Sequence, residues 1–183
     1  MSRFSLRPGS WRVVLPVLSL AAVLLAGLAG TSTPASAQVR YPAATPPPLI
    51  FVGTFFLKNK FTGRCADDSN LGLRAIACNN LNFQEWKIWA LNTSKTIIQI
   101  QNVNTSRCIV QLAPPAELKT ASCNRAVDGQ LWATSTWSVN GHLFAWFEQF
   151  TGRGCLDDST EGFRATACGN PITSDLHQVW QLD

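Results

Sequence analysis

The sequence predicts an all-β domain built from three copies of one unit. Six cysteines form three successive pairs, and each pair is followed by a Gln-x-Trp tripeptide that ends at Trp86, Trp132 or Trp180. The motif tryptophans are 46 and 48 residues apart, a period typical of a repeated supersecondary unit. Short runs rich in aromatic and β-branched residues precede each cysteine pair, and no amphipathic stretch of helical length occurs. These patterns favour short strands and turns.

The first 37 residues are typical of an export signal. Three arginines precede an apolar run over residues 13–28, and Ala35, Ser36 and Ala37 supply small residues for cleavage. A membrane anchor is the alternative, which Pro16 and the small-residue site disfavour. We therefore expect a signal peptide at residues 1–37 and a secreted chain, extracellular or periplasmic.

Residues 38–52 contain three successive prolines and predict an extended tail before a domain at residues 53–183. The formal charge of +4 belongs mostly to the signal, whose removal leaves 12 basic and 11 acidic residues. No clustered basic surface remains, so we expect neither a nucleic-acid partner nor stable membrane insertion.

An even number of cysteines in an exported chain indicates disulfides. Six cysteines allow 15 connectivities, and pairing within each repeat is the most economical: Cys65–Cys78, Cys108–Cys123 and Cys155–Cys168. Each bridge would close a short loop, worth about 3 kcal/mol in the chain-entropy model. Structural zinc is disfavoured because the chain has no C-x-x-C and only two histidines. We expect no metal and no cofactor.

The first and third repeats are more alike than either is to the second. Aligning residues 65–78 with residues 155–168 gives nine identities in fourteen positions, including an Asp-Asp pair in each copy. The second repeat has Val110 and Gln111 at that place. We interpret Asp68 and Asp158, the second aspartate of each pair, as turn residues.

Three all-β repeats of this length, each with a cysteine pair and a closing Gln-x-Trp, resemble the ricin B-chain type β-trefoil, a fold of secreted lectins and carbohydrate-binding modules. The resemblance covers residues 53–183 and implies that Trp86, Trp132 and Trp180 are structural core residues. It also implies a non-catalytic carbohydrate-binding module with a glycan or glycoprotein as its partner.

The resemblance implies sites in the first and third repeats. Sugar binding in that family uses an Asp two residues after the first cysteine, polar groups at the Gln of Gln-x-Trp, and an aromatic platform. Neither repeat has an aromatic at the usual platform position, where Ile76 and Thr166 stand. Phe163, ahead of Leu73, is the replacement we consider, and core packing is the interpretation that we prefer for both. The candidate carbohydrate-binding residues are therefore Asp67, Gln84, Asp157, Gln178 and Phe163.

A structural role for the two aspartates is the competing interpretation. Asp67 precedes Arg74 by the same number of residues as Asp157 precedes Arg164. In a hairpin that turns between them, each carboxylate would face a guanidinium on the opposite strand and bind no ligand.

We expect no catalytic residues, because adjacent carboxylates in a turn cannot flank a glycosidic bond and no other catalytic motif occurs. The alternative to a lectin is a degenerate trefoil that binds a protein or cell surface. Such trefoils resemble the targeting subunits of cytolethal distending toxins, and other trefoils inhibit proteases. A partner protein subunit is therefore the second expectation.

Overall fold

The computed structural model describes residues 48–112, 117–171 and 174–183. The expected signal peptide and most of the expected tail lie outside the described residues. The first strand begins at Ile50, slightly before the domain start expected at residue 53. Among the described residues, no helix is long and apolar enough to cross a membrane.

The described chain consists of short strands joined by turns. Alternating half-buried and buried positions, as in Glu85–Ala90, are the period-two pattern of a strand with one face in a core. The strands are β1 Ile50–Asn59, β2 Arg64–Ser69, β3 Gly72–Ala77, β4 Glu85–Ala90, β5 Ile97–Asn102, β6 Arg107–Gln111, β7 Leu118–Ser122, β8 Trp132–Val139, β9 His142–Gln149, β10 Cys155–Ser159, β11 Gly162–Thr166 and β12 Trp180–Leu182.

Six strands close into a barrel. Antiparallel pairing runs from β1 to β4, β5, β8, β9 and β12, and β12 pairs with β1 to complete the ring. The other six strands form the hairpins β2–β3, β6–β7 and β10–β11, which contact one another. We call β1–β4, β5–β8 and β9–β12 the first, second and third repeats. The predicted all-β architecture of three repeats is confirmed.

The three motif tryptophans lie in the barrel core and are fully buried. Each indole N–H donates to a backbone carbonyl of the hairpin in its own repeat: Trp86 to Ala66 at 3.0 Å, Trp132 to Ile109 at 3.4 Å and Trp180 to Leu156 at 3.0 Å. A buried indole normally finds such a partner. The tryptophans therefore form the layer of the core nearest the hairpins.

The three disulfides connect the cysteines within each repeat, Cys65–Cys78, Cys108–Cys123 and Cys155–Cys168, each with a Cα–Cα distance of 5.0 Å. The predicted pairing is confirmed. Each bridge ties the first strand of a hairpin to the segment that follows its second strand. Such bonds form and persist in oxidising compartments.

The interpretation of Asp68 and Asp158 as turn residues is wrong. Both lie within strands and are fully buried. The Asp68 carboxylate accepts hydrogen bonds from the next repeat, from Arg107 (Nη2 2.8 Å), Thr105 and Thr120 (2.7 Å). Successive side chains on a strand point to opposite faces, so Asp68 turns inward between repeats while its neighbour faces the other way.

The same contact closes the ring between the third repeat and the first. The Asp158 carboxylate accepts from Thr62 Oγ1 and from Arg64, whose Nε lies 3.0 Å away. The equivalent residue of the second repeat is Gln111, which donates its amide to the backbone carbonyl of Arg153 at 3.2 Å. One aspartate of each Asp-Asp pair is therefore used to join repeats.

Candidate functional site

The other aspartates, Asp67 and Asp157, lie beneath the first and third hairpins. Strand register places Asp67 opposite Arg74 and Asp157 opposite Arg164. The Nε to Oδ1 distances are 3.6 Å and 3.4 Å, and both carboxylates are almost completely buried. The cross-strand ion pairs expected from the spacing are therefore present in both repeats.

The two carboxylates differ in their hydrogen bonds. Asp67 Oδ1 accepts the backbone N–H of Ser69 at 3.1 Å. Within the described residues, Asp157 Oδ1 is a buried acceptor that receives no hydrogen bond, because Arg164 Nε lies within ion-pair distance without hydrogen-bond geometry. Buried polar atoms in native structures almost always have a partner, so Asp157 Oδ1 has acceptor capacity that Asp67 Oδ1 has already used.

Charged groups surround Asp157. Burial raises the pKa of the Asp157 carboxyl, and the nearby Asp175 carboxylate adds to that shift. A side-chain hydrogen bond with Ser159 and the positive charges of Arg164 and His177 oppose this rise in pKa. Asp157 therefore shares its surroundings with the segment that precedes the last strand.

His177, which interacts electrostatically with Asp157, is partly exposed. It occupies the position before the motif glutamine, its Nδ1 lies 3.0 Å from Asp175 Oδ1, and its ring lies 4.0 Å from that of Phe61. Phe61 is 60% exposed. In the first repeat the position of His177 is held by Phe83, so that repeat lacks a polar group there.

The motif glutamines Gln84 and Gln178 are fully buried. Gln84 accepts from the Asn79 N–H at 2.8 Å and donates to the Ala77 carbonyl at 3.1 Å. Gln178 makes the same two bonds to the backbone of its own repeat, at 2.9 Å and 2.8 Å. Both amides hold the chain that leaves the hairpin, and neither is available to a ligand at the surface.

Phe163, the candidate replacement platform, is half-buried and packs edge-on against Trp180 at 5.4 Å, as its core-packing interpretation predicts. It belongs to the margin of the core. The exposed aromatic residue in this region is Phe61, which contacts His177 and was not among the residues predicted from the sequence. Its signal was present, since Phe61 and Phe150 begin equivalent segments before the first cysteines of their repeats and both are exposed.

No protein-family model and no curated protein matches this chain. Solved structures do match it. A ricin B-like lectin of Macrolepiota procera, solved with lactose, has a TM-score of 0.56 at 14% identity over 72% of this chain and 94% of its own. A designed threefold symmetric protein has a TM-score of 0.56 at 12% identity over 72% of this chain and 99% of its own.

A toxin chain matches to a similar degree. The cytolethal distending toxin of Actinobacillus actinomycetemcomitans gives a TM-score of 0.54 at 15% identity over 70% of this chain and 89% of that chain. Identities this low show a common fold and leave the ligand open. The six-stranded barrel, its three hairpins and these likenesses together establish that the chain is a β-trefoil of the kind found in ricin B-like lectins.

Proposed function

We propose that this protein is a secreted, non-catalytic carbohydrate-binding module that holds one sugar residue at the third repeat. The observation that carries the proposal is the buried Asp157 oxygen without a hydrogen-bond donor, beside the polar side chains of Asp175 and His177. Sugar hydroxyls donate to carboxylates, and adjacent hydroxyls can use both carboxylate oxygens. A hydroxyl at this place would satisfy Asp157.

Access to Asp157 depends on Arg164. That side chain is 36% exposed and also pairs with Glu161, which is 69% exposed. The ion pair with Glu161 is exposed and contributes little stability, so the guanidinium can move while sugar hydroxyls replace its contact with the buried Asp157 carboxylate. Phe61, whose ring centroid lies 4.0 Å from that of His177, offers an aromatic surface of the kind that covers the C–H surface of a sugar.

The first repeat supports no equivalent site. Asp67 already accepts the Ser69 N–H, and Phe83 replaces the histidine. The proposal therefore reduces the two expected sites to one and leaves Asp67, Gln84, Gln178 and Phe163 out of the ligand contacts.

Two further observations support the rest of the proposal. Asp158, the neighbour of Asp157, is held by Arg64 and Thr62 and cannot act as the second carboxylate of a glycosidase. Three disulfides indicate an oxidising compartment, as expected for a protein exported by the segment at residues 1–37.

A glycan array with the disulfide-bonded protein tests the proposal, and the two hairpins provide a matched control. Asp157→Asn and His177→Ala should abolish retention on the glycans that the unmutated protein binds. Asp67→Asn, the same change in the first repeat, should leave retention intact. Absence of retention by the folded, oxidised protein would contradict the proposal, as would equal losses from Asp67→Asn and Asp157→Asn.

A second candidate, binding of a partner protein, is favoured by an apolar strip on the outer face of the barrel. Phe51 is 53% exposed and contacts Trp89 at 5.2 Å. Leu49, 37% exposed, is two residues earlier in the chain. Photo-crosslinking from position 51 tests this candidate, with exposed Leu71 on the first hairpin as the control position.

A further inference from the structure

The end of the barrel away from the hairpins has an inner surface of its own. Two residues beyond the motif tryptophans, the inward positions are Ile88 on β4 and Leu182 on β12. The equivalent position on β8 is Thr134, whose hydroxyl donates to the Trp146 carbonyl at 2.8 Å. Threonine is less apolar than either counterpart, so the threefold symmetry of the core breaks at this layer.

A mostly apolar cavity of about 240 Å³, whose lining also includes Lys95, Thr134 and Thr136, lies at this layer. Its walls include the buried residues Ile88, Ile98, Phe147 and Leu182. Thr134 forms another part of the wall. An apolar cavity of about 150 Å³ is large enough to bind benzene. In proportion, this one accommodates on the order of eight to ten carbon atoms. Barrel mouths are among the usual places for small-molecule sites.

A polar vestibule of about 360 Å³ adjoins the cavity and shares Lys95, Thr134 and Thr136 with it. Its other walls are hydroxyl side chains and backbone from residues 94–96 and 135. In the part of the chain that the structure describes, the Lys95 ammonium has no carboxylate within ion-pair distance. The mouth of the cavity therefore carries an uncompensated positive charge.

The loop that presents Lys95 is held in place before any ligand arrives. Lys95 has a φ of 57°, and its N–H donates to the Asn92 carbonyl at 3.1 Å. The Asn92 side chain accepts from the Thr96 N–H at 3.0 Å and donates to Thr96 Oγ1 at 2.9 Å. A braced loop loses less entropy when it binds.

We infer that the barrel mouth binds a free medium-chain fatty acid, with the aliphatic chain in the cavity and the carboxylate at Lys95. An apolar cavity selects the chain, and a lysine at its mouth selects an anionic head group. This site is separate from the proposed sugar site and does not depend on it.

Calorimetric titration of the disulfide-bonded protein with decanoate, below its micelle concentration, tests the inference. We expect saturable binding of one decanoate per chain and no binding of acetate at the same concentrations. Lys95→Gln should weaken decanoate binding about tenfold and leave decanol binding unchanged, because only the charge is removed. Lys87→Gln, on the outer face of β4, is the matched control and should change neither.

Filling the cavity provides the second arm. Thr134→Ile inserts the residue type that the first repeat has at this position and should abolish binding of both decanoate and decanol. Thr136→Phe, an exposed position at the mouth, is a second blocking variant in case Thr134→Ile disturbs folding. Melting temperatures identify variants that fold.

Several outcomes would overturn the inference. The folded protein would show no saturable decanoate binding, or folded Thr134→Ile and Thr136→Phe would bind decanoate as the unmutated protein does. A loss of decanoate binding in Lys87→Gln equal to that in Lys95→Gln would also overturn it. Adsorption to phosphatidylglycerol vesicles that persists in the blocked variants would assign the interaction to a charged surface instead. Asp157→Asn should leave decanoate binding unchanged, so this site and the sugar site can fail separately.

Discussion

The junction between the first and second repeats differs in chemistry from the junction between the second and third. At the first, the buried Asp68 carboxylate faces the guanidinium of Arg107. At the second, the neutral Gln111 amide faces the backbone carbonyl of Arg153. The junction between the third and first repeats, Asp158 with Arg64, is of the charged kind.

One inserted residue accounts for the difference. The third repeat has Gly154 between Arg153 and its first cysteine, whereas Arg64 and Arg107 directly precede theirs. Gly154 has a φ of 139°, and a Cβ there would lie 2.6 Å from the Thr166 carbonyl, so the insertion requires glycine. With the arginine displaced, the group facing position 111 is a carbonyl.

A carbonyl oxygen is an acceptor, so the residue opposite it must donate. The Gln111 amide can donate a hydrogen bond to this carbonyl. An ionised carboxylate would instead place a second buried acceptor against the carbonyl oxygen. The change of Asp to Gln at position 111 and the insertion of Gly154 are therefore complementary. In this molecule the uncharged junction differs from the charged ones on both sides at once.

Gln111→Glu should have the largest effect on this comparison. It exchanges the amide for a carboxylate of equal length, which leaves a buried charge facing the Arg153 carbonyl. Unpaired buried charges cost about 3–5 kcal/mol. Guanidinium unfolding at pH 7 measures the loss, with Gln111→Met as the uncharged control.

The loss in Gln111→Glu should shrink as the pH falls. The folded protein favours the protonated, neutral acid at this place, so the cost is present at high pH and disappears once the carboxyl is protonated in both states. A loss that is equal at pH 7 and pH 4 would contradict the charge argument.

Arg107→Ala should have the next largest effect, because it leaves the buried Asp68 carboxylate without its cation. Breaking a fully buried ion pair costs about 3–5 kcal/mol of stability. Because Arg107 is 41% exposed and two threonines still donate to Asp68, we expect a loss of about 2 kcal/mol here. Arg153→Ala is the matched control in the uncharged junction and should cost less than about 0.5 kcal/mol. Equal losses would mean that the guanidiniums contribute alike in both junctions.

Restoring the charged geometry tests whether the two changes are coupled. Deletion of Gly154 and Gln111→Asp should each destabilise the protein alone. Together they return Arg153 to the position before the cysteine and give it a carboxylate, so the double variant should recover about 1 kcal/mol or more relative to additivity. Thermal unfolding of the four proteins closes the cycle, and strict additivity would show that position 111 and the insertion are independent.

The sequence predicted those features whose residues lie close together in the chain at regular spacings. Cysteine pairs, Gln-x-Trp and the hairpin partners Asp67 and Arg74 lie close together in the chain, and three copies of each motif point to one fold. The role of Asp68 was missed because its partner Arg107 belongs to another repeat, and local patterns do not reveal such pairs. The contact of Phe61 with His177 was missed for the same reason, because the two residues lie near opposite ends of the domain sequence. A Thr-x-Arg before the first cysteine, at residues 62–64 and 105–107, was the available signal.

The smallest predicted effect compares the two hairpin carboxylates. Burial raises the pKa of Asp157, so the folded state favours its neutral form and stability falls as the pH rises through that pKa. Asp157→Asn removes the charge, and Arg164, being 36% exposed, remains solvated without it. The variant should therefore melt at the same or a slightly higher temperature at pH 7, which corresponds to a gain in the free energy of unfolding of less than about 1 kcal/mol. This gain should vanish near pH 3. Asp67→Asn loses its ion pair with Arg74 and should lose up to about 1 kcal/mol at pH 7. Calorimetric melting of both variants at the two pH values decides the comparison, and equal losses at pH 7 would show that attraction to Arg164 outweighs the burial of Asp157.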